Sequence, residues 1–223
     1  MNILLLTQVV PYPPDAGPKV KTYHVLRYLA AAGHRVTLAC FVRAHERAHL
    51  DALRPFCAAL HAVPLRRSRA ADARAYLRSL RDGTPLLVAR DAIEEMHALV
   101  TRLTRQQVFD VVHADQLTMG QFALPDRNAG RLLDAHNAVW TIVARAQQTA
   151  SPLLKPLLAR EARLLKQYEG ALCRQMDAVL AVSEVDRQSL IAAGACPEKV
   201  HVIPIAVDCE ALQPLALDDT SER

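Results

Sequence analysis

Short, unbroken apolar runs recur along the chain at intervals filled by helical patterns, and this recurrence limits the fold more than any other feature. Residues 2–7, 35–42, 110–114, 130–134, 177–182 and 199–203 carry aliphatic side chains without the polar alternation of a half-solvated strand. Each therefore reads as a strand buried on both faces. Such strands belong to parallel sheets, whose faces are covered by crossover helices. The stretches near 18–32, 45–60, 69–81, 91–107, 139–150, 154–176 and 184–194 have helical length and spacing. The order is βαβα, and the expected fold is α/β: a single Rossmann-like, doubly wound parallel sheet.

The chain has 223 residues, enough for one large domain. A hydrophobic fraction of 51% excludes a disordered chain, and an aromatic fraction of 4% requires a core of aliphatic and alanine side chains. The net charge of +4 comes chiefly from arginine, with a local cluster at Arg66, Arg67, Arg69, Arg74, Arg78 and Arg81. That cluster reads as a solvated helix face, or as a contact for an anionic membrane surface or a phosphorylated ligand. No recognition motif accompanies it, so no nucleic-acid partner is expected.

Cys40, Cys57, Cys173, Cys196 and Cys209 form no CxxC pair and leave one over, which fits a reducing compartment. The chain opens directly in a strand-like run without signal-peptide features, and no segment has the apolar length of a membrane span. The expected location is cytoplasmic.

The first unit is clearly punctuated: a strand to Thr7, a loop with Pro11, Pro13, Pro14, Asp15 and Gly17, then a helix ended by Gly33. At the other end, residues 208–223, with Pro214 and several charges, read as a linker or tail, leaving residues 1–207 as the domain.

In an open parallel sheet, ligands bind beyond the carboxyl ends of the strands. The loops to watch follow Thr7, Ala114, Asp134 and Val182. Gly17, Lys19 and Lys21 stand at a helix start, where free N–H groups and the helix dipole favour a phosphate or carboxylate, although a simple turn glycine explains Gly17 equally well. His113-Ala114-Asp115-Gln116 places polar side chains where ligand hydroxyls would lie; the alternative is the structural polarity of an ordinary loop. Asp134-Ala135-His136-Asn137 joins a proton-transfer group, a carboxylate and an amide in one loop, and is the strongest catalytic candidate; the alternative is a histidine that caps the next helix. Ser183 reads as a helix N-cap.

The paired leucines within Ser151–Arg160 suit either helix burial or a membrane interface. The chain lacks G-x-G-x-x-G, G-x-x-x-x-G-K-[ST], G-x-S-x-G and any metal-ligand spacing. Nicotinamide, P-loop and metal chemistry thus lose their usual support, and with them an unrelated nucleotide-dependent α/β enzyme.

Several segments together carry a resemblance: Pro13-Pro14-Asp15-Ala16-Gly17, Gly33-His34-Arg35-Val36, Asp110-Val111-Val112-His113, Leu133-Asp134-Ala135-His136-Asn137, Asp177 to Glu184, and Lys199 to Pro204. In that order and spacing the chain resembles the N-terminal, acceptor-side domain of a family-4 retaining glycosyltransferase of the GT-B fold. The resemblance implies a second, C-terminal domain that binds most of the nucleotide-sugar donor. It implies further that Gly17 and Lys19 approach the donor phosphates or sugar, and that His136 sits beside the transferred sugar with Asp134 restraining its ring. His113, Asp115, Gln116 and Asn137 would then shape the acceptor pocket. No metal and no cofactor are implied, the nucleotide-sugar being a co-substrate. Pro18 departs from the pattern, standing where relatives commonly have a second glycine and removing a backbone donor. Ile203-Pro204-Ile205-Ala206-Val207-Asp208 departs from the usual Ile-Pro-Asn-Gly-Val-Asp.

The expected function is the acceptor-binding half of a glycosyltransferase acting on a glycan or lipid-linked acceptor in polysaccharide biosynthesis, peripheral to the inner membrane face. It would need a donor-binding domain or subunit and be a poor catalyst alone. The alternative is a non-catalytic GT-B-derived module that binds a glycan, nucleotide or protein.

Overall fold

A computed structural model of the protein describes residues 1–125 and 128–205. The tail expected over 208–223 lies outside the described residues.

The sheet is built outward from β1 (Asn2–Thr7), which pairs in parallel with β2 (Arg35–Val42) on one side and β4 (Val111–Asp115) on the other. Beyond β2 lies β3 (Ala59–Pro64); beyond β4 lie β5 (Gly130–His136), β6 (Ala178–Ala181) and β7 (Val200–Val202). The order is β3-β2-β1-β4-β5-β6-β7, all parallel, and it reverses between β1 and β4. That reversal is the switch point where open α/β sheets bind ligands. The fold is the Rossmann-like, doubly wound sheet expected from the apolar runs.

Both faces are covered, which explains the unbroken runs. Leu4 and Leu6 enter a core shared with Met96 and Leu99 of α4 (Glu94–Gln106) and Leu165 and Leu172 of α7 (Lys155–Gln175). Leu5, between them, enters the opposite core with Leu26 of α1 (Gly17–Ala31), Leu38 and Leu53. Each fully buried leucine contributes about 1.5–3 kcal/mol.

Local chemistry fixes the helix ends. Gly33, at φ 78°, takes the left-handed turn after α1, and His34 N donates to Leu29 O at 3.0 Å in the Schellman pattern. Ser68 caps α2 (Arg69–Asp82) through Ala71 N, and Ser183 caps α8 (Glu184–Ala192) through Asp186 N. Gly170 lets α7 and α8 meet: a Cβ there would lie 1.8 Å from Ala193 O.

One expected helix is different. The stretch 45–60 is a 3₁₀ segment, Ala44–Phe56, followed by β3. Pro55, inside the segment, brings no N–H, and the backbone turns extended at Cys57, φ −118° and ψ 135°, where the segment ends. The alanine-rich run after it has no strand signature of its own, and pairing with β2 makes it a strand. The helix expected over 91–107 is preceded by a short α3 (Leu86–Asp91).

Candidate functional site

The carboxyl ends of β1, β4 and β5 converge where α1 crosses them, and there the structure gathers most of the polar residues that the sequence marked. The pairing of β5 with β6 skips Ala135, so that Asp134 opposes Leu180 and His136 opposes Ala181. At this bulge His136 adopts φ 57°, a conformation costly for a side chain larger than glycine. Gln116, just beyond β4, has φ 74°, and its N–H bonds Asp134 O at 2.9 Å. Strained backbone at two neighbouring strand ends is typical of sites that hold ligands.

His136 Nε2 lies 2.8 Å from Asp115 Oδ1 and 3.9 Å from Asp134 Oδ1, so Asp115 is the carboxylate that holds the ring. Since an ionised carboxylate only accepts, the short contact assigns the proton to Nε2 and leaves Nδ1 for a ligand. The other oxygen of Asp115 accepts from Thr22 Oγ1 at 2.9 Å. Asp134 is engaged by Lys21, whose Nζ lies 2.5 Å from Oδ1. Lys21, Thr22, Asp115, Asp134 and His136 are all buried, and a carboxylate is tolerated at such depth only when paired and hydrogen-bonded.

Asp115, Asp134 and His136 bring their ligand atoms within 4.8 Å of one another, a donor set that could hold a metal ion. The Lys21 ammonium already supplies a cation to it. His113 lies beneath the cluster; burial lowers its pKa, against the pull of Asp134 and Asp115, and keeps it neutral.

Through His136 the cluster borders a cavity of about 140 Å³ lined by Gln8, Pro18, Gln116, Thr118, His136 and Asn137, among others. Thr118 Oγ1, buried in its wall, has no hydrogen-bond partner among the described residues. Of the residues marked from sequence, Gln116, His136 and Asn137 line the cavity, whereas His113, Asp115 and Asp134 lie behind it. Gly17 is exposed with open space where a Cβ would stand, and Lys19 pairs with Asp15 at 3.2 Å. Pro18, in the first turn of α1, lines the cavity directly.

Sequence reasoning missed Thr22 and Thr118, marked Lys21 only as a cation at the start of α1 and not as the partner of Asp134, and missed also the carboxylates that hold the His136 loop from behind. Ala138 N donates to Asp186 Oδ1 at 3.1 Å, and Val139 N and Trp140 N each donate to Glu169 at 2.8 Å. Glu169 thereby satisfies two free donors at the N-terminus of α6 (Val139–Thr149). Burial nevertheless raises its pKa to about 7, outweighing those two bonds. The available signal for Lys21 and Thr22 was their place on the stripe of α1 that also carries Leu26.

Comparison with known proteins agrees with this architecture. No curated protein matches the sequence. Among solved structures, Anabaena Alr3699/HepE in complex with UDP and glucose superposes with a TM-score of 0.53 at 16% identity, covering 93% of this chain and 45% of that one. The UDP-GlcNAc 2-epimerase of Methanocaldococcus jannaschii gives 0.53 at 10% identity, covering 91% and 45%. The N-terminal domain of Candida albicans trehalose-6-phosphate phosphatase gives 0.54 at 13%, covering 94% and 49%. The chain thus spans somewhat under half the length of each and has the fold of one half of a GT-B architecture. The family model of Glycosyltransferase Family 4 matches residues 17–211. That match takes in most of the chain, including every strand after β1 and the whole buried cluster, and the chain belongs to glycosyltransferase family 4.

Proposed function

We propose that the chain is the acceptor-side half of a sugar-transfer enzyme, moving a sugar from a nucleotide-sugar to a glycan or lipid-linked acceptor with a donor-binding domain closing over it. The observation that carries this reading is the cavity at the switch point, where His136 is held by Asp115 and the buried Thr118 hydroxyl has no partner. His136 presents Nδ1 to a hydroxyl of the transferred sugar, while Asp115 fixes the ring and Lys21 balances Asp134. Gln116, Thr118 and Asn137 supply hydrogen bonds to acceptor hydroxyls. Gly17 and Lys19, at the start of α1, face the donor phosphates once the second domain is present. Exposed Leu153 and Leu154 beside Lys155 support work at the cytoplasmic face of a membrane, in polysaccharide assembly.

The test compares transfer of radiolabelled nucleotide-sugars to membrane-derived acceptors by the chain alone and by the chain with its donor-binding half or an extract of its source cells. Transfer only in the second case is expected, with loss on His136→Ala. Robust transfer by the chain alone would sink the need for a second domain. No transfer under any condition would favour the alternative, a non-catalytic module that binds a glycan, nucleotide or protein.

A further inference from the structure

A second cavity lies between α2, α3, α6 and α7, with a volume of about 250 Å³. Its walls are apolar: Tyr76, Leu87, Val143, Leu157, Leu158 and Leu165. Each charged side chain at its rim has a partner on another helix. Arg90 Nε donates to Asp72 at 2.8 Å, Arg160 Nη2 donates to Ser79 O at 2.7 Å, and Glu161 accepts from Leu87 N at 3.3 Å. An occupant therefore meets mainly hydrocarbon, with the Tyr76 hydroxyl and the guanidinium groups of Arg90 and Arg160 among the lining. Leu87 also lines the cavity at His136, so the two spaces share a wall. A single ligand that fills both must be polar at one end and apolar at the other.

The surroundings name the apolar end. Tyr76 and Leu157 stay 39% and 40% exposed at the rim, and Leu153 beyond them is 92% exposed. Arg90 and Arg160 line the same cavity, and the Arg90 side chain stays 38% exposed. Leucines rimmed by guanidinium groups suit an amphiphile with an anionic headgroup.

We propose that this cavity binds the hydrocarbon chain of an anionic, lipid-linked acceptor whose reacting hydroxyl lies at His136. The assignment rests on the transfer reading above and narrows its acceptor to a lipid.

Trp140 is the only tryptophan of the chain; it stands one helical turn from the lining residue Val143, with its indole against Ser189 O and Lys166, and its emission is the signal followed, alongside titration calorimetry. The probe is dodecyl phosphate, below its micellar concentration, titrated into the 223-residue chain. Saturable change in Trp140 emission is expected, and none with inorganic phosphate. Across alkyl phosphates of increasing length, affinity should rise by about fourfold per methylene and then level off once the cavity is full. Leu157→Lys, at the rim, should weaken dodecyl phosphate by about tenfold or more, and Leu77→Lys, on the outward face of α2, should leave it unchanged.

Equal losses in the two variants, or a chain-length dependence without a ceiling, would mean adsorption to the surface and overturn the proposal, as would no binding. The two readings fail separately. Transfer to a water-soluble saccharide without alkyl phosphate binding overturns the lipid site alone. Alkyl phosphate binding without any transfer keeps the lipid site and overturns the transfer reading.

Discussion

Lys21 Nζ and Asp134 Oδ1 lie 2.5 Å apart, with side-chain exposures of 8% and 1%, although 113 residues separate them in sequence. Removing one member of so deep a pair leaves the other charge without compensation. Lys21→Met and Asp134→Leu should each cost about 3–5 kcal/mol of unfolding free energy, whereas the double variant should recover most of the loss. Denaturant unfolding of the four proteins of this cycle measures the coupling, and simple additivity would mean that the pair is not the organising contact.

The contact from His136 Nε2 to Asp115 makes a different prediction, one about catalysis. In the chain joined to a donor-binding half, Asp115→Asn should lower kcat by about 100-fold with little change in KM, because the ring loses the acceptor that sets its orientation. Steady-state kinetics decide it: a rise in KM at constant kcat would place Asp115 in acceptor binding instead.

Glu169 links the loop behind His136 to pH. Burial lifts its folded pKa from the ordinary 4.5 of a glutamate to about 7, so the folded state binds more protons between those values. This group's contribution to stability is therefore greatest below pH 4.5 and declines as pH rises to 7, by up to about 3 kcal/mol. Glu169→Gln should flatten that decline, as followed by thermal melts from pH 4.5 to 8. An unchanged slope would assign it to other groups.

Gly170 tests the packing of α7 on α8. A methyl group at this position would meet Ala193 O at 1.8 Å, backbone that cannot turn aside, so Gly170→Ala should destabilise the protein by about 3 kcal/mol or more. A neutral result in a melting experiment would show that the helices separate freely.

The fold was largely legible because a parallel sheet writes its buried strands as continuous apolar runs, and Leu4, Leu5 and Leu6 face alternate cores as that reading requires. β3 was not, since Ala59–Pro64 is a half-buried strand at the sheet margin whose character comes from β2. At the site, His136, Asp115 and Asp134 were visible as polar residues at strand ends. Lys21 was visible as a cation at the start of α1 but not as the partner of Asp134, and Thr22, Glu169 and Asp186 were hidden because they sit in helices where a charged or hydroxyl side chain ordinarily means solvent. Which of two nearby carboxylates holds a histidine is decided by a strand bulge, and no spacing rule records that bulge.

The reversal of strand order between β1 and β4 also bears on how the molecule assembles. Thr22 and Asp115 stand 93 residues apart, so the helix that follows β1 must wait for β4 and β5 to arrive before its lysine and threonine find their carboxylates. Until then those charges remain hydrated, and drying them is a cost met only when distant parts of the chain close together. The site thereby acts as a proofreading step on the fold: a chain with these three strands misaligned keeps its acidic groups wet and leaves the His136 imidazole without the carboxylate that orients it.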